Sequence, residues 1–486
     1  MKKTAVFICC AIVLLFCSAF AFGCGGLEQE KLSSYEIECT LDGYTLSAKQ
    51  KVCYVNNTQN VIEELKFNLF ANAFRKDALN SPIAPQYLSR AYPNGLSYGE
   101  MNIQNVEVEG KNATFEICGQ DKNVLLVKLG KQVFPDESIN LVIKFSVSLA
   151  NVVARTGYNN STINLANFYP ILCVYENGEF FECLYYDKGD PFYSECANYK
   201  VSITCDSAYV IASSGELINE KHTAKTKTAT YKLNSARSFA FVLSKNFSVL
   251  TSVVAGVKIN YYYYQDENPS GSMEFATKAI KLFNQKFGEF PYKNYSVVQT
   301  EFVQGGMEFA GLVMISNDLN DLAYGEVIVH ETAHQYWQVA VGNNEISYGF
   351  LDEGLAEYSV VLFYEKYSEY GYTRQSLIQS SEQTYKVFCS VYDKLYNKVN
   401  TVMLRSLGEF SSEYEYVNIA YIKPCIMYDN LRTTIGDARF FNGLKRYYQS
   451  YKFKIARPDD LVGAFEKTGA GTNGFFQSFF EGKVII

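Results

Sequence analysis

Alternation of apolar and polar residues marks the first half of the chain as rich in strands. Every second residue between positions 141 and 149 is apolar, which is the period of a strand with one buried face, and positions 201–205 repeat it over a shorter run. Asn177-Gly178 lies between the apolar runs 171–175 and 179–181, a pattern typical of a β-hairpin. Because long helical periodicity is absent up to about Val254, the pattern predicts an all-β domain.

The pattern changes at about Gly256. Positions 261–264 predict one more strand, positions 272–286 a helix that begins at Ser272, and positions 295–300 another strand. Beyond Glu326 the apolar spacing is helical for most of the remaining chain. We therefore predict an α+β multidomain protein, with an all-β domain over 25–255 and a mainly helical domain over 256–486. No linker rich in Pro, Gly or Ser separates the two, so we expect them to share an interface.

Composition narrows the classes of function. The 486 residues include 44 basic and 51 acidic side chains, for a net charge of −7, and 48% are hydrophobic, which excludes wholesale disorder. Mild acidity without a basic stripe predicts no nucleic-acid partner. Only three histidines occur in the chain, so two that stand close together carry unusual weight.

Residues 1–24 are predicted to be a signal peptide. Met1-Lys2-Lys3 is positively charged, and positions 5–23 form an uncharged, mostly apolar run. Cleavage after Ala21 would suit an ordinary signal peptidase, whereas positions 21–24 resemble a lipoprotein box ending at Cys24, and an uncleaved anchor is the third reading. We expect an exported protein that is lipid-anchored on the outer face of a bacterial membrane, or otherwise secreted.

The cysteines do not form an obvious framework. Nine follow Cys24, an odd number, and the spacings within the group 173–205 match no zinc-binding pattern. We favour the interpretation that these cysteines are buried thiols acting as small hydrophobic residues. One disulfide bridge within this group remains an alternative. Its members are Cys173, Cys183, Cys196 and Cys205.

The strongest chemical signal is His330-Glu331-Thr-Ala-His334. On a helix these two histidines lie one turn apart on the same face, so both imidazoles reach one cation. Positions 324–341 contain no proline, and we predict a single helix through them that is buried nearly all round, with Trp337 and Val341 continuing the histidine face. Buried histidines and a buried carboxylate need a partner, and zinc is the one that suits this pattern.

Zinc bound by two histidines needs a third protein ligand and one open position. Glu353 follows His334 after eighteen intervening residues, near the start of a second predicted helix, and completes the set for one zinc per chain. Glu357, one turn later, is placed to accept the free ring N–H of a ligand histidine. Glu331 points away from the metal and is the candidate general base. The third histidine, His222, lies in a polar turn and is predicted to be at the surface.

These residues resemble a known family. HExxH, eighteen residues and Glu, preceded by Gly-Gly-Met-Glu at 305–308, is similar to the gluzincin aminopeptidases of the aminopeptidase N and leukotriene hydrolase type. The resemblance extends to 189–193 and to 421–423, and covers most of the chain from about residue 40. It implies an N-terminal β-saddle domain, a thermolysin-like catalytic domain, and zinc-dependent removal of N-terminal residues from peptides.

The resemblance also implies roles for individual residues. Glu308 would bind the free α-ammonium of a peptide, beside a substrate cleft lined by Gly305, Gly306 and Met307. Tyr421 would donate a hydrogen bond to the developing oxyanion; the competing tyrosines are Tyr414, Tyr416 and Tyr428. Phe309 stands where the family usually has Asn.

Two alternatives to an aminopeptidase remain at this point. The chain ends soon after Tyr421, without room for the helical domain that closes the cleft in larger family members, so we expect a more open site. An open cleft would suit a zinc endopeptidase. A non-catalytic surface-binding lipoprotein that retains the fold is the other alternative. Such a protein would be expected to have lost a metal ligand or the general base, but all four residues are present: His330, Glu331, His334 and Glu353.

Overall fold

Strands are the main regular structure of the described chain up to Val254. The structure, a computed structural model, describes residues 31–484, so the signal peptide predicted over 1–24 lies outside the described residues. The strands of this half are β1 (Ser34–Asp42), β2 (Thr45–Val55), β3 (Ile62–Asn68), β4 (Glu100–Val108), β5 (Lys111–Asn112), β6 (Phe115–Cys118), β7 (Val124–Val133), β8 (Ser138–Ser148), β9 (Thr156–Tyr158), β10 (Ile163–Ala166), β11 (Ile171–Leu172), β12 (Tyr175–Glu176), β13 (Glu179–Phe180), β14 (Ala197–Asp206), β15 (Val210–Ser213), β16 (Glu216–His222), β17 (Thr226–Ala236) and β18 (Ala240–Ser244).

An eight-stranded sheet organises these strands, in the order β16-β17-β14-β1-β2-β8-β4-β5. Two four-stranded sheets, β15-β18-β10-β9 and β11-β3-β7-β6, pack with it. Side chains of β8 alternate between buried and solvent-facing positions along its whole length, so the strand predicted from positions 141–149 is confirmed. Short helical turns interrupt the sheets at Phe70–Phe74, Pro85–Tyr87 and α1 (Leu88–Ala91).

The predicted hairpin is confirmed. Strands β12 and β13 pair in antiparallel fashion, and the two residues between them, Asn177 and Gly178, have φ values of 53° and 91°. Those positive values are the backbone conformation of a tight hairpin turn, which asparagine and glycine adopt most easily.

A five-stranded mixed sheet accompanies the helices of the second half. Its order is β19-β20-β21-β23-β22, so β22 is an edge strand. The strands are β19 (Ser248–Val254), β20 (Val257–Tyr263), β21 (Asn294–Thr300), β22 (Gly306–Phe309) and β23 (Leu312–Ser316), and a small pair is formed by β24 (Val341–Gly342) and β25 (Lys454–Ile455).

Helices form the rest of this half, and none in the described part of the chain is both long and apolar enough to cross a membrane. They are α2 (Pro269–Lys286), α3 (Asp321–His334), α4 (Glu345–Tyr348), α5 (Phe350–Lys366), α6 (Arg374–Tyr396), α7 (Glu413–Tyr416), α8 (Lys423–Ile435), α9 (Asp437–Tyr451), α10 (Pro458–Glu466) and α11 (Asn473–Phe480).

Two predicted helix boundaries are wrong. Helix α2 begins at Pro269 rather than Ser272, because the Asn268 side chain accepts a hydrogen bond from Gly271 N and Pro269 takes the first helical position. Helix α3 ends at His334 instead of continuing to Val341. Val341 pairs with Lys454 in β24–β25, and this long-range pairing turns the chain away from the helix.

The two halves share an interface, as expected from the absence of a linker. Thr300 Oγ1 in β21 donates to Asn164 Oδ1 in β10 at 2.8 Å, and Ser296 Oγ donates to the Ser213 carbonyl at 2.8 Å. Both bonds join the five-stranded sheet directly to a sheet of the first half. The boundary at 255/256 stays a prediction.

The structure shows the environment of the four grouped cysteines and of His222. Cys173, Cys183, Cys196 and Cys205 are all buried free thiols, and burial raises the pKa of each one. His222 is exposed at the end of β16, 3.3 Å from a carboxylate oxygen of Glu220.

Candidate active site

Helices α3 and α5 pack together and present the HExxH residues to Glu353. Helix α3 starts at a side-chain cap, where Asn320 Oδ1 accepts a hydrogen bond from Ala323 N at 3.0 Å. Glu353 lies in the first turn of α5, where the helix dipole favours a carboxylate. The predicted position of Glu353 at the start of a second helix is therefore what the structure shows.

Three ligand atoms converge between these helices. His334 Nε2 lies 3.0 Å from His330 Nε2 and 3.2 Å from Glu353 Oε2, and His330 Nε2 lies 3.4 Å from the same oxygen. Zinc holds such ligands tetrahedrally at about 2.0–2.2 Å, which places them about 3.3–3.6 Å apart. The three separations are close to that value, so His330, His334 and Glu353 fit one zinc ion.

Hydrogen bonds to the other ring nitrogens orient both imidazoles. His334 Nδ1 is 3.1 Å from the Trp337 carbonyl, and Trp337 is itself held to α5 through its indole N–H and Ser359 Oγ. His330 Nδ1 is 3.3 Å from Glu357 Oε2, as the sequence predicted. In each ring the Nδ1 proton is donated outward, which leaves Nε2 for the metal.

A second group of ligand types, Glu308, His334 and Asp352, also comes together. Its shortest measured approach to the imidazole is from Glu308 Oε1 to His334 Nδ1, at 4.0 Å. That nitrogen already faces the Trp337 carbonyl, so it is committed as a donor. We therefore assign the metal to the group that contains His330.

Buried acids outnumber buried cations around this centre. Burial together with the neighbouring Glu353 raises the pKa of Asp352 to about 8, and burial also raises the pKa of Glu308 well above its usual range. The cationic groups that act on the cluster are Arg155, His330 and His334. A divalent cation offsets an excess of negative charge of this kind. The buried carboxylates are Asp190, Glu308, Glu331, Glu345, Asp352 and Glu353.

Glu331 has the placement that a general base requires. It is buried, and burial raises the pKa of its carboxyl to about 7 even though both neighbouring histidines act in the opposite direction. Its Oε2 has no hydrogen-bond partner and remains able to accept a proton. A Cβ atom at Gly306 would collide with the Glu331 carboxylate, so only glycine permits β22 to pass this close.

Tyr421 reaches the same centre through a π-helical turn at Val417–Ile422, a local widening that often occurs at functional sites. Its hydroxyl donates to Glu353 Oε1, and its ring stacks on that of His330 with centroids 6.1 Å apart. Burial and the Glu353 carboxylate raise the pKa of Tyr421 well above its usual range, which keeps the phenol a neutral donor. Tyr414, Tyr416 and Tyr428 do not line the cavity that Tyr421 lines.

Lys423, which helped to single out Tyr421 in the sequence, has a structural role. Its ammonium donates to the carbonyls of Thr401 and Phe479, at 2.6 and 2.8 Å, and so ties the start of α8 to the C-terminal helix α11. The turn that carries Tyr421 is thereby fixed from behind.

A cavity of about 420 Å³ opens beside these residues. Gly305, Gly306, His330, Glu331 and Tyr421 all line it, so the structure brings these five predicted residues to one surface. The sequence did not identify Arg155, which lines the same cavity and forms a buried ion pair with Asp190. Asp190 lies in the segment 189–193 that carried part of the family resemblance, but nothing local indicates its partner.

Glu308 and Met307 lie deeper than the resemblance implied. Neither lines the main cavity: Met307 Sδ accepts from Arg155 Nε at 3.0 Å, and Glu308 faces a space of about 20 Å³, roughly the size of one water molecule. Glu308 Oε1 has no hydrogen-bond partner there. The Glu308 carboxylate is therefore close to the centre and unpaired, with Arg155 and Asp190 beside it.

Known proteins with similar sequences are aminopeptidases by name. Residues 271–479 match the sequence profile of the family described as Peptidase family M1 domain. The aminopeptidase N of Lactobacillus delbrueckii subsp. lactis is 26% identical over 242 residues, which cover 46% of this chain and 28% of that protein. A probable aminopeptidase 2 of Sulfurisphaera tokodaii is 21% identical over 427 residues, covering 84% of this chain and 52% of its own. The chain thus spans between about a quarter and about half of these relatives.

A solved structure has the same fold over nearly the whole length. The M1 zinc metallopeptidase from Deinococcus radiodurans superposes with a TM-score of 0.67 at 17% identity, and the match covers 94% of this chain and 95% of that one. A likeness at this identity concerns the fold, and it includes both the β-rich and the helical half. Sequence profile, relatives and fold agree with the converging ligands: residues 271–479 match the M1 peptidase domain, and the chain is similar to gluzincin metallopeptidases of the aminopeptidase N type.

Proposed function

We propose that this protein is a zinc-dependent aminopeptidase that removes N-terminal residues from peptides. The observation that carries the proposal is the convergence of His330, His334 and Glu353 next to a cavity that His330, Glu331 and Tyr421 line. A binding protein that only retained the fold would not need an unpaired buried carboxylate at Glu331. The relatives named aminopeptidases support the same reading.

The protein's own residues account for the proton transfers. When bound, zinc supplies a Lewis acid next to the scissile carbonyl. Glu331 takes the proton from the attacking water and returns it to the leaving amine, a role for which a pKa raised to about 7 is suited. The Tyr421 hydroxyl donates a hydrogen bond to the negative charge that develops on the carbonyl oxygen.

Glu308 sets where cleavage occurs. Its Oε1 has no hydrogen-bond partner and lies 4.0 Å from His334 Nδ1, and an α-ammonium that pairs with it would leave one residue between the amine and the reacting carbonyl, as the family resemblance implies. Burial without a hydrogen bond makes this carboxylate costly until a cation arrives, and the free peptide amine is such a cation.

Comparison of a free and an N-acetylated peptide tests the proposal. We expect Ala-Leu-Ala to be hydrolysed at least ~100-fold faster than its acetylated form, since acetylation removes the charge that Glu308 would bind. Glu308→Gln should reduce that difference, while Asp321→Asn, at an exposed position on α3, should leave it unchanged. Equal hydrolysis of both peptides by the wild type would contradict an aminopeptidase.

One observation favours a second candidate, a zinc endopeptidase. Glu308 does not line the main cavity, and the Arg155–Asp190 pair lies beside it, so a peptide could occupy the cavity without reaching Glu308. Cleavage of acetylated peptides at internal bonds, unaffected by Glu308→Gln, is the result that would select this candidate.

We also propose that the protein is exported and held at the outer face of a bacterial membrane by a lipid on Cys24. The support is the sequence of residues 1–24, with its basic start, apolar run and Gly-Cys junction. Cys24→Ala should move the protein from the membrane fraction to the soluble exported fraction. If the variant stays in the membrane, an uncleaved anchor replaces the lipid.

A further inference from the structure

The edge strand β22 gives the cavity a direction. Gly306 lies against Glu331, and a Cβ atom on Gly305 would lie 3.6 Å from Val327 Cγ2, so the chain runs along α3 from the side of Val327 toward the end of that helix. Glu308 lies at that end, near His334. A peptide that binds its amine at Glu308 and its reacting carbonyl at Glu331 therefore places its second residue beside Val327.

Glu326 faces this part of the cavity. It lies one helical turn before His330, half-buried, and lines the cavity together with Val327 and Leu319. The described residues give it neither a hydrogen bond nor an ion pair; the charged groups that act on it are Glu357 and His330, and His330 is itself bonded to Glu357. Glu326 is thus a carboxylate with no cation of its own.

The remaining charges of the cavity leave its surface negative. Each basic side chain among the described lining residues already has an acidic partner, whereas Glu413 accepts from two uncharged groups, the Gln86 amide at 2.6 Å and the Tyr87 hydroxyl. A cation that enters would therefore meet unneutralised acids. The basic–acidic pairs are Arg90–Asp318, Arg155–Asp190, Lys188–Asp187 and His330–Glu357.

We infer that the enzyme prefers peptides whose second residue is lysine or arginine, with the cation paired to Glu326. The inference rests on the proposed aminopeptidase function and names a substrate class for it. The aliphatic stem of such a residue packs on Val327 and Leu319 while its charged end reaches the carboxylate, which is how long basic side chains cover apolar surface. The first residue of the peptide has no such site, because on the Glu308 side of the centre Arg155 supplies a cation, which donates to Met307 Sδ.

Tripeptides that differ only in the second residue test this inference. Ala-Lys-Ala, Ala-norleucine-Ala and Ala-Glu-Ala share an N-terminus, and norleucine has the stem of lysine without its charge. We expect wild-type kcat/KM to be about 10-fold higher for lysine than for norleucine, mainly through KM, and lowest for glutamate. Glu326→Gln should remove the preference for lysine with the norleucine rate unchanged, and Glu326→Lys should shift the preference to glutamate.

Asp321→Asn is the matched control, because it removes one negative charge from the same helix at an exposed position outside the cavity. It should keep the preference for lysine. Wild-type hydrolysis of all three peptides at one rate, or a preference that survives Glu326→Gln, would overturn the inference while leaving the aminopeptidase intact. Loss of the norleucine rate in folded Glu326→Gln would overturn it as well, since Glu326 would then act on structure. If the wild type cleaves none of the three, the proposed function fails and the inference with it.

Discussion

Two groups of charge in the helical half differ in their balance. The buried Arg432 is fully bonded to two carboxylates: its guanidinium bonds both oxygens of the exposed Asp437, at 2.8 and 2.9 Å, and both oxygens of Glu365, at 2.7 and 3.2 Å. Around His330 and His334 the carboxylates exceed the cations, and Glu331 and Glu308 each retain an oxygen without a partner. Helix α5 contributes to both groups, with Glu365 in the first and Glu353 in the second.

This difference in charge balance distinguishes a group that stabilises the fold from a group that carries out chemistry. A charge cluster that is complete within the protein holds helices together and needs nothing else. A buried cluster that is short of positive charge takes up protons, as the raised pKa values of Asp352 and Glu308 show, or binds a cation from outside, which makes it a site. The comparison predicts opposite outcomes for substitutions in the two groups. Substitutions around His330 and His334 should lower activity and leave stability unchanged, whereas substitutions around Arg432 should lower stability and leave activity unchanged.

Glu331→Gln should have the largest effect. Removing the proton acceptor should lower kcat about 10³-fold, within the range of general acid–base catalysis, while zinc content and the midpoint of thermal unfolding stay close to those of the wild type. Steady-state hydrolysis of Ala-Leu-Ala, with metal analysis of the same sample, measures this. A variant with nearly full activity would show that another group takes the proton.

Tyr421→Phe should have the next largest effect. Loss of one oxyanion donor should lower kcat about 10²-fold with little change in KM, because the hydrogen bond forms as charge develops. Tyr414→Phe, at an exposed position outside the cavity, is the control and should retain wild-type kinetics. If the two variants behave alike, Tyr421 is not the donor.

Arg432→Met should show the reverse pattern. The loss of charged hydrogen bonds to Asp437 and Glu365 should lower the free energy of unfolding by about 1–3 kcal/mol, with kcat/KM of the folded protein unchanged. Chemical denaturation measures it, and Arg439→Met, at an exposed position on α9, should have almost no effect. An Arg432→Met protein that is stable but inactive would break the comparison.

The same variant carries a pH signature. The Arg432 hydrogen bond lowers the pKa of Asp437 below its usual value, so this carboxylate adds stability above the unfolded pKa of about 4. That stability is lost as the pH falls through the folded pKa. Arg432→Met should therefore lose less stability than the wild type on acidification below about pH 4.

Much of the fold and most of the metal site could be predicted from local sequence patterns. Alternation at 141–149 corresponds to β8, and the spacing of His330, His334 and Glu353 corresponds to three atoms that meet between two helices. These features depend on periods of two and of about 3.6 residues, which the sequence shows directly.

What the sequence missed depends on contacts between distant segments. Helix α3 ends at His334 because Val341 pairs with Lys454, more than a hundred residues away. Beside the deeply placed Glu308, Met307 accepts a hydrogen bond from Arg155, across 152 positions of sequence. Glu326 had a local signal that was overlooked: it stands four residues before His330, one turn back along the same helix face.

Zinc content of the purified protein tests the central claim most directly. The account predicts about one zinc per chain in the wild type and in Arg432→Met, and a strong loss in His334→Ala, since three protein ligands are needed to hold the ion. Inductively coupled plasma mass spectrometry on dialysed protein gives the number. A wild type without bound metal, or a His334→Ala variant that keeps its zinc, would contradict the assignment of the site.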